Sequence, residues 1–214
     1  MFGTLFSDRT IRWTTVAFIT LAIVGLFLPD WVVNNLMFGL SRGLAVLGLL
    51  VLWRTGLISF GHALYFGLGA YAVALLEKHL GVTDILLRFA AAIALSVLVG
   101  LFLGLVLRRY RGIFFAMLSL AFSMVLYGIL VKMEALGSTD GFSVSPATLF
   151  GWAPSGKYML FVAIIAFAIV ATALVQLYLR SALGQLTTAI RDNEIRVEYL
   201  GYSVAWAIHI KYMI

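Results

Sequence analysis

Long apolar runs separated by short polar segments dominate the chain. Six of them approach the roughly 20 residues that a helix needs to cross a bilayer. They extend from Trp13 to Leu28, Trp31 to Trp53, Gly56 to Leu76, Ile85 to Leu107, Ile113 to Val131 and Tyr158 to Leu179, and another begins at Val204 and reaches Ile214. The pattern predicts an all-α integral membrane protein. We expect a polytopic helical bundle of six full spans plus the start of a seventh, with residues 1–214 forming a single transmembrane domain.

One polar segment, residues 181–201, differs from the other connections because it is amphipathic. Its apolar positions recur at helical spacing and its charged residues occupy the other side. The apolar positions are Leu183, Leu186, Ile190, Val197 and Leu200. We predict that this cytoplasmic segment rests its apolar face on the membrane domain and offers its polar face to a soluble partner. It is called the coupling segment below.

The composition agrees with a membrane location and narrows the chemistry. Only 11% of the residues are charged and the mean hydropathy is +1.07, values typical of a chain that resides in a bilayer. Because the chain has no cysteine, a disulfide framework, a thiolate metal site and a cysteine nucleophile are all excluded. The three histidines lack metal-ligand spacing, and we find no catalytic constellation. These features favour a transport subunit over a membrane enzyme.

The basic residues predict the orientation, because short cytoplasmic loops retain Lys and Arg. One set of connections carries ten basic residues and the alternate set carries four. The richer set consists of Arg9, Arg12, Arg54, Arg108, Arg109, Arg111, Arg180, Arg191, Arg196 and Lys211; the poorer set consists of Lys78, Arg88, Lys132 and Lys157. The N-terminus and the coupling segment should therefore be cytoplasmic. The net charge of +6 reflects this topology, and we expect no nucleic-acid partner.

The sequence stops within its seventh apolar segment. A partial span would leave backbone amides unpaired in lipid, so we expect a truncated chain. A short terminal interfacial helix is the alternative.

Two helix faces are candidates for a substrate path. His62, Phe66 and Gly69 share one face of the third run, and Ser119, Ser123 and Tyr127 form a row in the fifth. The alternative for the serines is a hydrogen bond to a preceding carbonyl or a neighbouring helix. The alternative for His62 is a packing role.

Small residues predict close helix contacts. Gly56, Ser59, Ala63, Gly67, Ala70 and Ala74 follow at three- and four-residue steps, and Gly39 with Gly43 and Gly100 with Gly104 have Gly-x-x-x-Gly spacing. Such stripes let helix backbones approach closely in membranes.

Arg42 is the one charge deep inside a predicted span. All nine acidic residues lie outside the apolar runs. Intramembrane charges are costly and usually functional, so we expect Arg42 to contact a substrate carboxylate or a partner subunit. If the span starts near Leu36, snorkelling of the side chain to the interface is the alternative.

Three motifs resemble those of the permease subunits of branched-chain amino acid ABC importers, of the LivM type. The first is Gly56-Leu-Ile-Ser-Phe-Gly-His62-Ala-Leu-Tyr-Phe-Gly67-Leu-Gly69-Ala-Tyr71. The second combines Arg109-Tyr-Arg-Gly-Ile-Phe-Phe-Ala-Met-Leu-Ser-Leu-Ala-Phe with the outer-loop sequence Ser138-Thr-Asp140-Gly141. The third is Gly184-Gln-Leu-Thr-Thr-Ala-Ile-Arg-Asp-Asn-Glu194-Ile-Arg-Val-Glu-Tyr-Leu-Gly201. The similarity extends over nearly the whole chain from Trp31 onward.

The resemblance implies an import complex in a bacterial inner membrane, made of two permeases, two ATP-binding subunits and an external solute-binding protein. ATP and Mg²⁺ would bind the partner ATPase, and this chain would bind no cofactor or metal. The implied ATPase-coupling residues are Gly184, Ala189, Ile190, Arg191, Asp192, Asn193, Glu194, Arg196 and Gly201. The predicted substrate-path residues, which include Arg42 and the two faces described above, are Arg42, Ser59, His62, Phe66, Gly69, Ser119, Ser123, Tyr127 and Asp140.

The resemblance leaves two rivals open. Related urea and short-amide importers share these motifs, so the motifs do not define the solute. A secondary transporter or channel without an ATPase would use the same faces, although the spans lack the acidic residues common in proton relays. Two departures from the family pattern stand out: Arg42 replaces a small apolar residue, and the sequence ends where further spans usually follow.

Overall fold

The computed structural model describes residues 9–148 and 157–213, and these fold into helices joined by short connections. The helices are α1 (Arg9–Gly25), α2 (Asp30–Trp53), α3 (His62–Leu80), α4 (Ile85–Leu107), α5 (Gly112–Lys132), α6 (Lys157–Arg180), α7 (Ala182–Asp192), α8 (Glu194–Tyr199) and α9 (Val204–Met213), with a short 3-10 helix at Glu134–Leu136. Within these ranges no β-strand is present, which confirms the all-α class. Asp84 and Thr148 form one isolated bridge.

Four helices have the length and composition of membrane spans: α2, α4, α5 and α6. Each is at least about 31 Å long, enough for a hydrocarbon core of about 30 Å. Helix α1, with 17 residues, reaches only about 26 Å. The count of six full spans therefore stays a prediction.

The third apolar run is not helical throughout, in contrast to the expected span from Gly56 to Leu76. Residues 56–61 form a turn, and α3 begins only at His62. Gly56 has φ of +77°, a left-handed conformation that glycine adopts without a steric penalty. Gly56 and Ser59 therefore lie before the helix and do not continue its stripe of small residues.

The chain divides into two compact units. The first contains residues 9–51 and 157–187. Its core is formed by Val33, Phe161 and Ile165, where α1 and α2 pack against α6. The Tyr158 hydroxyl donates to the Ala22 carbonyl at 2.9 Å.

The second unit contains residues 52–148 and 188–213 and centres on α4, which packs against both α3 and α9. The predicted close contact at Gly100 and Gly104 is present. A Cβ on Gly100 would lie 3.6 Å from the Tyr65 hydroxyl, and one on Gly104 would lie 2.6 Å from His209 Nδ1. The Tyr65 side chain of α3 and the His209 side chain of α9 thus pack directly on the glycine backbone of α4.

The coupling segment is two helices, α7 and α8, broken at Asn193. The Asn193 side chain accepts a hydrogen bond from the backbone N–H of Arg196 at 3.0 Å, which caps the N-terminus of α8 as asparagine commonly does. Of the predicted apolar face, Ile190 and Val197 are buried. Leu183 and Leu200 are exposed, in contrast to the prediction; Leu200 follows the end of α8 at Tyr199.

Candidate functional site

An ion pair ties the coupling segment to the turn between α4 and α5. Arg111 Nε lies 2.8 and 2.9 Å from the two carboxylate oxygens of Glu194. Both side chains are about one-third exposed, at 33% and 37%. These residues lie 83 positions apart, and the pair connects the start of α8 to the connection between α4 and α5.

The backbone holds Arg111 in this orientation. Its Nη1 donates to the carbonyls of Arg108 at 2.6 Å and Tyr110 at 2.9 Å. Two carbonyls and one carboxylate thus occupy the guanidinium, a set of charge-assisted bonds that favours a single geometry. Glu194 also lies in the first turn of α8, where a negative charge is favoured by the helix dipole.

Arg191 packs against the turn that precedes α3. A Cβ on Gly56 would lie 3.1 Å from Arg191 Cγ, so the glycine makes room for the aliphatic stem. The guanidinium remains exposed and pairs loosely with Asp192 at 3.5 Å. The segment therefore contacts two turns of its unit, through Gly56 and through Arg111.

The exposed side of the coupling segment carries both charged and apolar residues. The polar positions Arg191, Asp192, Asn193 and Arg196 are exposed, as are Ala189 and Gly201. Sequence reasoning missed the apolar part: Ile195 is 64% exposed and Tyr199 is 87% exposed, one helical turn apart on α8. The four-residue spacing of these two side chains was the available signal.

Gly184 is buried at the corner between α6 and α7. A Cβ there would overlap the carbonyl of Tyr178, so this corner requires glycine. Gly184 thus shapes the start of the coupling segment and is not part of its exposed face.

Ser59 and Ser119 meet where α3 begins, although they belong to different predicted faces. Ser119 Oγ accepts a hydrogen bond from the Phe60 N–H at 3.1 Å and donates to the Ala116 carbonyl at 2.8 Å. Ser59 Oγ accepts from the Gly61 N–H at 3.1 Å. Both serines are buried, and their hydroxyls serve the backbone of the turn.

The remaining substrate-path candidates do not lie together along one surface. Phe66 and Tyr127 are exposed, and His62 is partly buried at the start of α3. Gly69 faces α4, where a Cβ would lie 3.9 Å from that of Ala92. Ser123 Oγ is buried and has no hydrogen-bond partner among the residues that the structure describes.

A polar cluster at the other end of α3 was not anticipated. Arg88 Nη2 lies 2.8 Å from Glu77 Oε2, and its Nη1 donates to the Ser145 carbonyl at 3.0 Å. The Ser145 N–H donates to Glu77 Oε1 at 2.9 Å. Hydrogen bonds from the Ser145 side chain and backbone lower the pKa of Glu77, and Arg88 acts in the same direction. This cluster joins α3 and α4 to the loop after α5.

Asp140 lies in that same loop and is exposed. Its backbone N–H donates to the Gly137 carbonyl at 3.0 Å, which closes a turn. Gly137 and Gly141 on either side both have positive φ, at +82° and +69°. The Ser138 to Gly141 motif therefore forms a tight turn that leaves its carboxylate exposed.

Arg42 lies in the middle of α2 with its side chain exposed. It makes no ion pair or hydrogen bond with any residue in the described ranges. Helix α2 starts at Asp30, and because the start of a helix does not define the membrane boundary, both interpretations of Arg42 stay predictions. No group of three or more potential metal ligands occurs in the described part of the chain.

Comparison with known proteins gives two matches. Residues 31–214 match the family described as branched-chain amino acid transport system / permease component. The chain is also 29% identical over 191 residues to the high-affinity branched-chain amino acid transport system permease protein LivM of Salmonella typhimurium, an alignment that covers 74% of this chain and 44% of that relative. The chain thus spans less than half the length of this relative. No solved structure matches it significantly.

Proposed function

Since the chain belongs to the family of permease components of branched-chain amino acid transport systems, we propose that it is a membrane-spanning subunit of an ATP-driven importer of branched-chain or other hydrophobic amino acids. In this proposal it works with a second permease subunit, two ATP-binding subunits and an external solute-binding protein in a bacterial inner membrane. ATP and Mg²⁺ bind the ATPase. The N-terminus and the coupling segment face the cytoplasm.

The observation that carries the proposal is the geometry of the coupling segment. Its inner side is held to two turns through Arg111 and Gly56, while Arg191, Asp192 and the apolar pair Ile195 and Tyr199 are exposed. A surface held on one side and exposed on the other can transmit the motion of a docked ATPase to α3, α4 and α5. Different binding free energies of the ATPase for two states would then shift the permease between them.

This geometry revises the role of one predicted coupling residue. Glu194 was expected to meet the ATPase together with Arg191, Asp192 and Asn193. Its carboxylate instead pairs within the chain to Arg111. We therefore assign Glu194 to positioning the segment, and leave the docking contacts to Arg191, Asp192, Ile195 and Tyr199.

Two alternatives remain distinguishable by experiment. A urea or short-amide importer would use the same subunit design with a different solute. A secondary transporter would need a coupling group, and no acidic residue lies inside the apolar runs. Uptake of radiolabelled leucine, urea and acetamide into cells that express the transporter, with and without ATP depletion or a proton uncoupler, separates the three. We expect leucine uptake that stops on ATP depletion and survives the uncoupler.

The coupling role is tested by exchanging the charges of the Arg111–Glu194 pair. R111E and E194R should each lower ATP-dependent leucine uptake severalfold, and the double variant R111E/E194R should recover most of it. The expected coupling energy is about 1 kcal/mol, because the pair is partly exposed. R191E is the matched comparison: it should lower uptake without rescue by R111E. Unchanged uptake in all three single variants would contradict a coupling role for the segment.

A further inference from the structure

The connection between α2 and α3 is buried on one side only. We call it the Gly56 turn, residues 54–61. Buried and exposed residues alternate along it, and the buried set consists of Thr55, Leu57, Ser59 and Gly61. Gly56 lies on the exposed side. The turn is therefore rooted in the interior of its unit and presents Gly56 on the opposite side.

The end of the Gly56 turn is fastened to α5. The Phe60 N–H donates to Ser119 Oγ at 3.1 Å, and Ser119 is only 1% exposed. A Cβ built on Gly61 would lie 3.2 Å from both the Cβ and the carbonyl oxygen of Ser119. Because packed interiors are hard to compress and transmit strain, the end of the turn has little freedom to move independently of α5.

The start of the Gly56 turn meets the coupling segment through the stem of Arg191. A Cβ built on Gly56 would lie 3.1 Å from Arg191 Cγ and 3.9 Å from its Cβ and Cδ. The stem thus occupies the space that a side chain at position 56 would fill. The adjacent Ile190 is 1% exposed, which anchors this end of α7 in the same unit.

The two contacts of the coupling segment differ in stiffness. The Arg111–Glu194 pair is partly exposed, and water and salt weaken such pairs. The contact of Arg191 with Gly56 is steric, so a movement of the end of α7 toward the turn must displace the turn. Of the two contacts, this one is better suited to transmit a displacement.

From these contacts we propose that the aliphatic stem of Arg191 moves the Gly56 turn, and that Ser119 makes the start of α3 and α5 move with it. The source of the movement, a docked ATPase, rests on the proposed function. Arg191 then has two separate roles, because its guanidinium belongs to the docking surface and its stem contacts Gly56. Gly56 and Ser119 act as positioning residues.

The test uses the assembled transporter in proteoliposomes, with its ATPase and its solute-binding protein, and measures the number of leucine molecules imported per ATP hydrolysed. This ratio does not depend on how much of a variant folds, so a loss of stability alone leaves it unchanged. Residues 1–214 contain no cysteine, and any cysteine elsewhere in the transporter is first replaced by serine. A cysteine pair introduced into the chain then reports a single disulfide.

Shortening the stem of Arg191 should lower the ratio. R191A removes the atoms that contact Gly56 beyond Cβ, whereas R191M keeps an unbranched stem without the charge. We expect the ratio to fall severalfold in R191A and much less in R191M. Both variants lose the guanidinium from the docking surface, so the difference between them measures the stem.

A disulfide should replace the missing stem. In G56C/R191C the two Cβ atoms would lie 3.9 Å apart, within the range of about 3.5–4.5 Å that disulfides require. The reduced pair should have a low ratio, oxidation should restore most of it, and dithiothreitol should reverse the gain. R191C alone is the control for the oxidant, and G56C alone is the control for the strain of cysteine at a φ of +77°.

The role of Ser119 is tested in the same background. In G56C/R191C/S119A, oxidation should restore a smaller part of the ratio than in G56C/R191C. The physical reason is that the Phe60 N–H has lost its acceptor on α5, so the tethered turn moves α5 less.

Four results would overturn the proposal. They are an unchanged ratio in R191A, failure of the G56C/R191C pair to cross-link on oxidation, no gain of the oxidised pair over the reduced pair, and equal recovery with and without Ser119. With ATP-driven leucine uptake by the unchanged transporter, any of them contradicts this inference alone. Absence of that uptake would contradict the proposed function, and this inference with it.

Discussion

Ser59 and Ser119 lie 60 positions apart, yet both hydroxyls serve the turn in front of α3. Ser119 Oγ accepts from the Phe60 N–H and donates to the Ala116 carbonyl, so its donor is occupied. A Cβ built on Gly61 would lie only 3.2 Å from the Cβ of Ser119. This close packing leaves little room for a solute. Of the two interpretations considered for Ser119, the hydrogen bonds favour the structural one.

Replacing Ser119 by alanine should therefore destabilise the protein without changing solute recognition. The Phe60 N–H would lose its acceptor, at a cost of about 1–3 kcal/mol. We expect a lower unfolding temperature in detergent for S119A, with an unchanged KM for uptake. S123A is the matched control, because the buried Ser123 hydroxyl has no partner among the described residues, and its unfolding temperature should barely move. A raised KM with unchanged stability in S119A would instead place Ser119 on the solute path.

The Glu77 cluster predicts a loss of order at low pH. Hydrogen bonds from Ser145, with Arg88 acting in the same direction, lower the pKa of Glu77 from its ordinary value of 4.5. A carboxyl whose pKa is lower in the folded state stabilises that state above its unfolded pKa, and this contribution disappears as the pH falls through the folded value. The contacts to Ser145 and Arg88 should therefore be complete above the ordinary value of 4.5 and weaken as the pH falls through the lowered pKa of Glu77.

Pepsin cleavage of the loop around Ser145, followed between pH 5 and pH 3, measures this loss. With each cleavage rate divided by that of an unfolded reference substrate at the same pH, the unchanged protein should become more susceptible as the pH falls, whereas E77Q should show the same relative susceptibility throughout. E134Q changes another exposed acid next to the same loop and should follow the unchanged protein. An E77Q profile that coincides with the unchanged one would show that Glu77 does not hold the loop.

At the scale of helices, the sequence pattern locates the elements better than their ends. The fourth run, Ile85 to Leu107, coincides with α4, since nothing in it competes with a continuous helix. The third run fails over residues 56–61 because Gly56 adopts a positive φ and Ser59 hydrogen-bonds the Gly61 backbone. Hydropathy cannot detect this, although glycine and serine within an apolar run are turn signals. The same limit explains why one amphipathic segment became two helices at Asn193.

The contact of α4 with α9 depends on Gly104. A Cβ there would lie 2.6 Å from His209 Nδ1 and 3.2 Å from a ring carbon of Tyr212. The His209 ring is buried and lies edge-on to Trp206 at 5.5 Å, so it has little freedom to retreat. We expect G104A to destabilise the protein by about 1–3 kcal/mol, as overpacking typically does.

G128A provides the matched control for this contact. A Cβ on Gly128 in α5 meets nothing within 4 Å, and alanine is the better helix former by about 1 kcal/mol. G128A should therefore be neutral or slightly stabilising in a denaturant titration of the detergent-solubilised protein. Equal stability of G104A and G128A would mean that α9 does not pack on α4 as described.

At the scale of the molecule, family and class were predictable from the sequence, whereas the long-range contacts were not. Local motifs and hydropathy indicated an all-α membrane permease, and the family match confirms it. The Arg111–Glu194 and Arg88–Glu77 pairs join residues from different helices and connections, and no local pattern encodes which charges meet. The coupling segment was therefore found by its periodicity, while the internal role of Glu194 required the structure.

Orientation and span number depend on whether α3 crosses the membrane. Helix α3 has 19 residues and carries Lys78 and His79 in its last turn, and its length of about 29 Å just matches the hydrocarbon core. The distribution of Lys and Arg predicts Arg54 inside and Leu80 outside the cell, which requires α3 to cross. Single cysteines at these two exposed positions, R54C and L80C, are interpretable because the chain has no other cysteine. A membrane-impermeant maleimide should label L80C in spheroplasts and R54C only after permeabilisation. Labelling of both before permeabilisation, or of neither, would mean that α3 returns to the side from which it starts, and the bundle would then have fewer than six spans.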